Sequence, residues 1–216
     1  PLGIEGRPRD LATAQAAASV GQLRLVQTYA DAFAAHGVTV GQVLLTADDL
    51  TRRGHYRNAH RTVERLLTLG VLPIVNENDT VATEEIRFGD NDRLAALVAH
   101  VAQADALVLL SDVDGVYDGD PRTGPASLVD TVREAADLAA VTLGSASRNG
   151  VGTGGMATKV EAAFIAAHAG VPVVVTSTAQ AGAALAGERV GTLFQAMGPA
   201  TIVSGGSGGN TAVGAA

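Results

Sequence analysis

The sequence predicts an α/β fold, a three-layer αβα sandwich built on a mainly parallel sheet. Three observations predict it. Hydrophobic residues make up 47% and charged residues 17% of 216 positions, the balance of one globular domain with a sizeable core. Helical segments alternate with short apolar runs, a rhythm repeated four times. The run "DALVLLS" is continuously apolar between polar bounds, as in a strand buried on both faces. In such sheets ligands bind beyond the carboxyl ends of the strands.

The elements follow in order. Asp10 is placed to cap a long helix, "LATAQAAASVGQLRLVQTYADAFAAHG", with Gly37 as its stop. A β-rich run, "VTVGQVLLT", ends at Thr46. A second helix, "RNAHRTVERLLTLG", closes on Gly70, and the strand "LPIV" follows. Asp90 or Asn91 caps the next helix, "DRLAALVAHVAQA", which leads into "DALVLLS". A turn-rich loop, "DVDGVYDGDPRTG", comes next. A weaker helix, "VREAADLAAV", precedes the glycine-rich "GSASRNGVGTGGMATK". The helix "KVEAAFIAAHAG" closes on Gly170, and the strand "VPVVVTS", a short helix "QAGAALAG" and the run "VGTLF" complete the regular part. Aromatic residues are only 3%, so the core is expected to be Val, Leu and Ala.

Composition excludes several function classes. A formal charge of −7 offers no broad basic surface for a nucleic acid. Arg52, Arg53, Arg57, Arg61 and Arg65 cluster, and read first as an exposed helix face, with an anion or subunit contact as the alternative. Without cysteine there is no disulfide framework and no thiolate metal site, which suits a reducing, cytoplasmic location. No apolar run approaches the roughly 20 residues that span a bilayer. No signal peptide precedes the first helix, and the first residue is Pro1, so the natural start is expected upstream.

The strongest anomaly is "VNENDTVATEEIRFGDND", Val75 to Asp92. It packs Glu77, Asp79, Glu84, Glu85, Asp90 and Asp92 together with Asn76, Asn78 and Asn91, between a buried strand and a buried helix. Amides with a carboxylate can hold an ammonium group, and a further carboxylate can orient lysines. "SDVDG" and Thr176–Ser177 also follow strands, so all three stretches are expected on one sheet edge. "SDVDGVYDGDPR" lacks the glutamate that ends a calcium loop. "GVGTGGMATKV" offers backbone N–H groups and a helix N-terminus to an anion, with Lys159 just inside the helix. The order Thr158–Lys159 is not that of a P-loop, and no apolar strand leads into Gly152, Gly154 and Ala157 as a dinucleotide fingerprint requires. The five histidines show no metal-ligand spacing, and nothing marks a Ser-His-Asp arrangement.

Together these stretches resemble one family. "DLATAQAAASVGQ", "LPIVNENDTVATEEIRFGDNDRLAALVA" with "ALVLLSDVDGVYDGDPR", and "GTGGMATKVEAA" with "VGTLF" are similar to the glutamate 5-kinases of the amino-acid kinase superfamily. The "NEND…GDND" pair separates these from aspartokinases, uridylate kinases and carbamate kinases. The resemblance implies phosphorylation of the side-chain carboxylate of L-glutamate by ATP, the first step of proline biosynthesis. It implies that Asp79, Asn91 and Asn78 bind glutamate, that Lys159 stabilises the transferring group, and that Asp92 organises the catalytic lysines. Ser111 and Asp112 would meet the nucleotide, with Thr153, Gly154, Gly155, Met156, Ala157, Thr158 and Lys159 around its phosphates. Mg²⁺ would arrive on the phosphates and water, with no protein metal ligand. Homo-oligomers are common in the family, and L-proline is expected to inhibit at or beside the glutamate site, through "TVATEEIRFG".

The chain also departs from the family. Residues 1–197 are expected to form the kinase domain without its first strand, whose lysine and glycine-serine turn have no counterpart, nor has the serine-glycine loop after the second strand. Residues 198–216 form a Gly-rich tail, either a linker or a rearranged substrate loop returning Ser204 or Ser207 to the site. The alternatives are a non-catalytic nucleotide- or effector-binding fragment, or another acyl-phosphate kinase of the superfamily.

Overall fold

In the computed structural model, residues 6, 8, 10–81, 91–120, 124–139, 141 and 155–198 are described. Their architecture is the expected αβα sandwich, with one qualification: the strands form two groups. Strands β1 (Thr39–Leu45) and β2 (Val71–Glu77) pair in parallel. The second group has the order β3-β5-β6-β4, from β3 (Leu107–Ser111), β4 (Thr131–Val132), β5 (Val173–Ser177) and β6 (Thr192–Phe194). Among these strand pairs β5–β6 is antiparallel and the others are parallel.

Helix α1 (Leu11–Ala34) starts where Asp10 accepts the Thr13 amide at 2.8 Å. Helices α2 (Ala47–Thr51) and α3 (Arg53–Thr68) lie between β1 and β2. The amphipathic α3 buries Ala59 and Val63, and its Arg53, Arg57, Arg61 and Arg65, with Arg52 just before it, are exposed, as expected of a solvated helix face. Helix α4 (Asn91–Val101) connects to β3, α5 (Met156–His168) to β5, and the short α6 (Ala181–Leu185) precedes β6. The predicted glycine stops adopt the left-handed conformation, at φ +69° for Gly37, +71° for Gly70 and +88° for Gly170.

Several expectations need correction. The helix over "VREAADLAAV" is not formed: Thr131–Val132 is a strand beside β6, and Ala135–Leu138 is a single 3-10 turn. Pairing with Leu193 and Phe194 outweighs a weak helical pattern. Strand β3 is not buried on both faces, since Leu110 is 41% exposed and β3 is the outer strand of its group. Strand β2 runs on through Asn76 and Glu77, so the acidic stretch begins inside the sheet. Helix α2 was not foreseen. It is set by Thr46, whose hydroxyl accepts the Asp49 amide at 3.2 Å while the Asp49 carboxylate accepts the Thr46 amide at 2.9 Å.

Two apolar clusters hold these elements. The larger joins Ala96 and Ala99 of α4, Leu109 of β3, much of α5, Val173 and Val175 of β5, and Phe194. Phe194 meets Phe164 edge-to-face at 5.4 Å between ring centroids. The smaller joins Leu45, Leu50 and Ala59 with Leu94 and Val101 of α4. Helix α4 therefore lends one face to each cluster. No helix among the described residues is long and apolar enough to cross a membrane. Residues 199–216, including Ser204 and Ser207, lie outside the described residues, as do Glu84, Glu85, Asp90, Thr153 and Gly154.

Candidate active site

The site is built where the first turns of α4 and α5 meet. Both helices are rich in alanine at their contact, with Ala96, Ala163 and Ala167 fully buried, so the backbones approach closely. That packing sets Asp92, in the first turn of α4, against Thr158 and Lys159, in the first turn of α5. The Lys159 ammonium donates to Asp92 Oδ1 at 2.8 Å, and the Thr158 hydroxyl lies 3.0 Å from Asp92 Oδ2. Each partner of the ion pair is only 16% exposed. A pair this sheltered is screened weakly, and each charge holds the other in place.

Gly155 precedes α5 in an extended conformation, and its carbonyl accepts the Lys159 amide at 3.2 Å. The amides of Met156, Ala157 and Thr158 fall in the first helical turn, where no carbonyl of the helix can reach them. Together with the positive end of the helix dipole they suit an anion such as a phosphate. Ser111 and Asp112 close β3, with the Ser111 hydroxyl 3.3 Å from Asp112 Oδ1, and Ser111 pairs in register with Ser177. The β3 and β5 termini thus lie at one edge, as the sequence suggested for Ser111, Asp112, Thr176 and Ser177.

Asn78 and Asp79 lie elsewhere, at a cleft of about 200 Å³ also lined by Gln22, Gln42, Leu44 and Glu77. The Asn78 amide is tied to the Leu45 carbonyl at 2.9 Å, and its side-chain oxygen accepts the Thr80 hydroxyl at 2.7 Å. Those bonds fix the turn that presents Asp79. Burial raises the Asp79 carboxyl above its ordinary value, because desolvation disfavours the charged form. Such a carboxylate is suited to an ammonium group. Asn76 donates to Gln22 Oε1 at 2.6 Å, linking β2 to α1, and the Gln22 amide nitrogen is buried without a protein partner. Asn91 is the first residue of α4 and is exposed.

The structure therefore brings Asp92, Thr158 and Lys159 together at the α4–α5 contact, and Asn78 with Asp79 at a cleft formed by α1, β1 and the turn after β2. Sequence reasoning did not single out Gln22, Gln42 or Glu77 as lining a cleft. Gln22 ends the helix motif "AAASVGQ", but nothing in its spacing marks it as facing β2. Among the described residues no group of three His, Asp or Glu side chains is arranged to hold a metal ion.

Residues 3–177 match the model of the amino acid kinase family. The chain belongs to that family. This amino acid kinase is 66% identical over 198 residues to the glutamate 5-kinase of Streptomyces coelicolor, a match covering 92% of this chain and 53% of that one. It is 62% identical over 196 residues to the glutamate 5-kinase of Nocardia farcinica, covering 91% and 53%. The chain spans about half the length of the curated relatives it matches. Among solved structures, a carbamate kinase from Giardia lamblia bound to AMP-PNP superposes with TM-score 0.59 at 17% identity, covering 89% of this chain and 75% of that one. Aspartokinase III of E. coli gives 0.55 at 21%, covering 87% and 42%. These two likenesses speak for the amino acid kinase fold.

Proposed function

We propose that the protein is a glutamate 5-kinase, transferring the γ-phosphoryl group of ATP to the side-chain carboxylate of L-glutamate, the first step of proline biosynthesis. The observation that carries this reading is the sheltered Asp92–Lys159 pair at the meeting of two helix N-termini, 2.8 Å apart. It is supported by the high identity to glutamate 5-kinases and by an acidic, amide-lined cleft at the end of β2.

The chemistry suits these groups. Glutamate's carboxylate is already ionised at neutral pH, so no general base is required. One of its oxygens attacks the γ-phosphorus; that O–P bond forms while the bond to the β-phosphate oxygen breaks, and the electron pair leaves with ADP. The protein must align two anions and offset their repulsion. Lys159 places its charge against the transferring group, and Asp92 holds that flexible side chain in line. The backbone amides of Met156, Ala157 and Thr158 and the β3 terminus at Ser111 and Asp112 receive the nucleotide, with Thr153, Gly154 and Gly155 as the residues that precede them in the sequence. Asp79 takes the ammonium group of glutamate, with Asn78 and Asn91 as polar partners. Mg²⁺ would be held mainly by the nucleotide phosphates and water, where it would neutralise charge.

The reading includes a homo-oligomer in the cytoplasm with L-proline as an inhibitor at the glutamate cleft. Exposed Val20, Leu23, Leu25 and Tyr29 on α1 support an interface there. The test is acyl-phosphate formation trapped with hydroxylamine, with aspartate, carbamate and N-acetylglutamate as competitors. Signal that depends on both ATP and glutamate is expected. Nucleotide binding without turnover, or preference for a competitor, overturns the reading.

A further inference from the structure

The hydroxyl of Thr158 faces inward, and its neighbours account for what it can do. It accepts the Gly155 amide at 3.1 Å, and two acceptors surround its proton: the Gly155 carbonyl at 2.8 Å and Asp92 Oδ2 at 3.0 Å. The carbonyl already receives the Lys159 amide at 3.2 Å. The carboxylate is the charged acceptor, and a hydrogen bond to it is the stronger one. A hydroxyl has one proton to give. Ionised phosphate oxygens only accept, so Thr158 cannot donate to them without releasing Asp92.

Asp92 in turn needs a second anchor. Its carboxylate turns freely about the Cβ–Cγ bond, where the torsional wells are broad. Lys159 holds Oδ1 alone, and a lysine ammonium is a point charge that imposes no plane. A donor on Oδ2 fixes the plane and so the direction in which Lys159 is held. We propose that the side chain of Thr158 is a positioning residue for Asp92, while the nucleotide phosphates meet this turn only through its backbone amides. The inference rests on the kinase reading above and deepens it.

The test compares Thr158→Val, which keeps the shape and removes the hydroxyl, with Thr158→Ser, which keeps the hydroxyl. Thr158→Val is expected to lower kcat about tenfold or more, the scale of one hydrogen bond to a charged group. KM for ATP and the affinity for ADP, read by calorimetry, stay within about twofold, and Thr158→Ser recovers most of kcat. Unchanged kcat in Thr158→Val, or weakened ADP binding with kcat retained, overturns the proposal. If the unmodified chain gives no acyl phosphate, the kinase reading fails separately. Thermal unfolding of Thr158→Val, Asp92→Ala and the double variant then decides: coupling between the two sites upholds the contact, and additive shifts in Tm sink it.

Discussion

Asp79, the proposed partner of the glutamate ammonium, shows how burying a single carboxyl costs the fold. Its pKa is raised by burial, so the folded state holds the proton more tightly than the unfolded one. Stability from this group therefore falls as pH rises from the unfolded value, near 3.8, through the raised folded value, and the full cost is present above it. Asp79→Asn is expected to raise Tm at neutral pH while weakening glutamate binding, which differential scanning calorimetry and titration calorimetry would show together. In the unmodified chain, glutamate affinity should fall on acidification as Asp79 takes up its proton. An acid-insensitive affinity would detach Asp79 from the ammonium group. Asp92→Ala removes the partner of Lys159, and we expect kcat to fall about 10²–10³-fold, as when a preorganised charge is lost, with ADP affinity retained. Normal hydroxamate formation by that variant would remove Asp92 from its role.

At the scale of elements, the long periodic segments were legible, as were the short α6 and β6, while α2 and β4 were not. Helices α1, α3, α4 and α5 carry their own start or stop signals, and Gly37, Gly70 and Gly170 sit where the chain reverses. Helix α2 is five residues long, too short for periodicity, although its Thr46-x-x-Asp49 capping pair was in plain view. Strand β4 is two residues long and exists because β6 offers it a partner 62 positions away, which no local pattern encodes. The Asp92–Lys159 contact was reached through family resemblance, while the Thr158–Asp92 contact, across 66 positions, appears only when α4 and α5 are packed. A tight approach at Gly191 is likewise invisible in sequence. Its φ is +67°, and a Cβ there would lie 2.2 Å from the Val175 carbonyl oxygen. Gly191→Ala should destabilise the protein by at least about 2 kcal/mol, through strain at a left-handed residue and loss of β5–β6 pairing, measurable by urea unfolding. A cost below half of that would mean the loop before β6 yields easily.

For the molecule as a whole, α4 is the shared element. Leu94 and Val101 enter the smaller apolar cluster, and Ala96 and Ala99 the larger one. The acidic cleft draws on α1, β1 and β2, and the Lys159 turn belongs to α5, so under the proposed reading the two substrates would be held by different halves. Leu94→Ala should cost about 2–5 kcal/mol and loosen the β1–β2 half first. Native-state hydrogen exchange would register this as amides of β1 and β2 opening ahead of those in β3 and β5. Uniform opening of both groups would show instead that α4 welds them into one cooperative unit.

The division of the core has a consequence for how the protein fails under heat. The half that lines the acidic cleft is fastened by the smaller cluster, and the half that carries Lys159 by the larger. On warming, the first loss should be recognition of the amino acid, with ADP still bound and most of the circular dichroism signal intact. Inactivation would then precede melting, and saturating amino acid, by bridging the weaker half, would protect activity at temperatures where nucleotide alone does not.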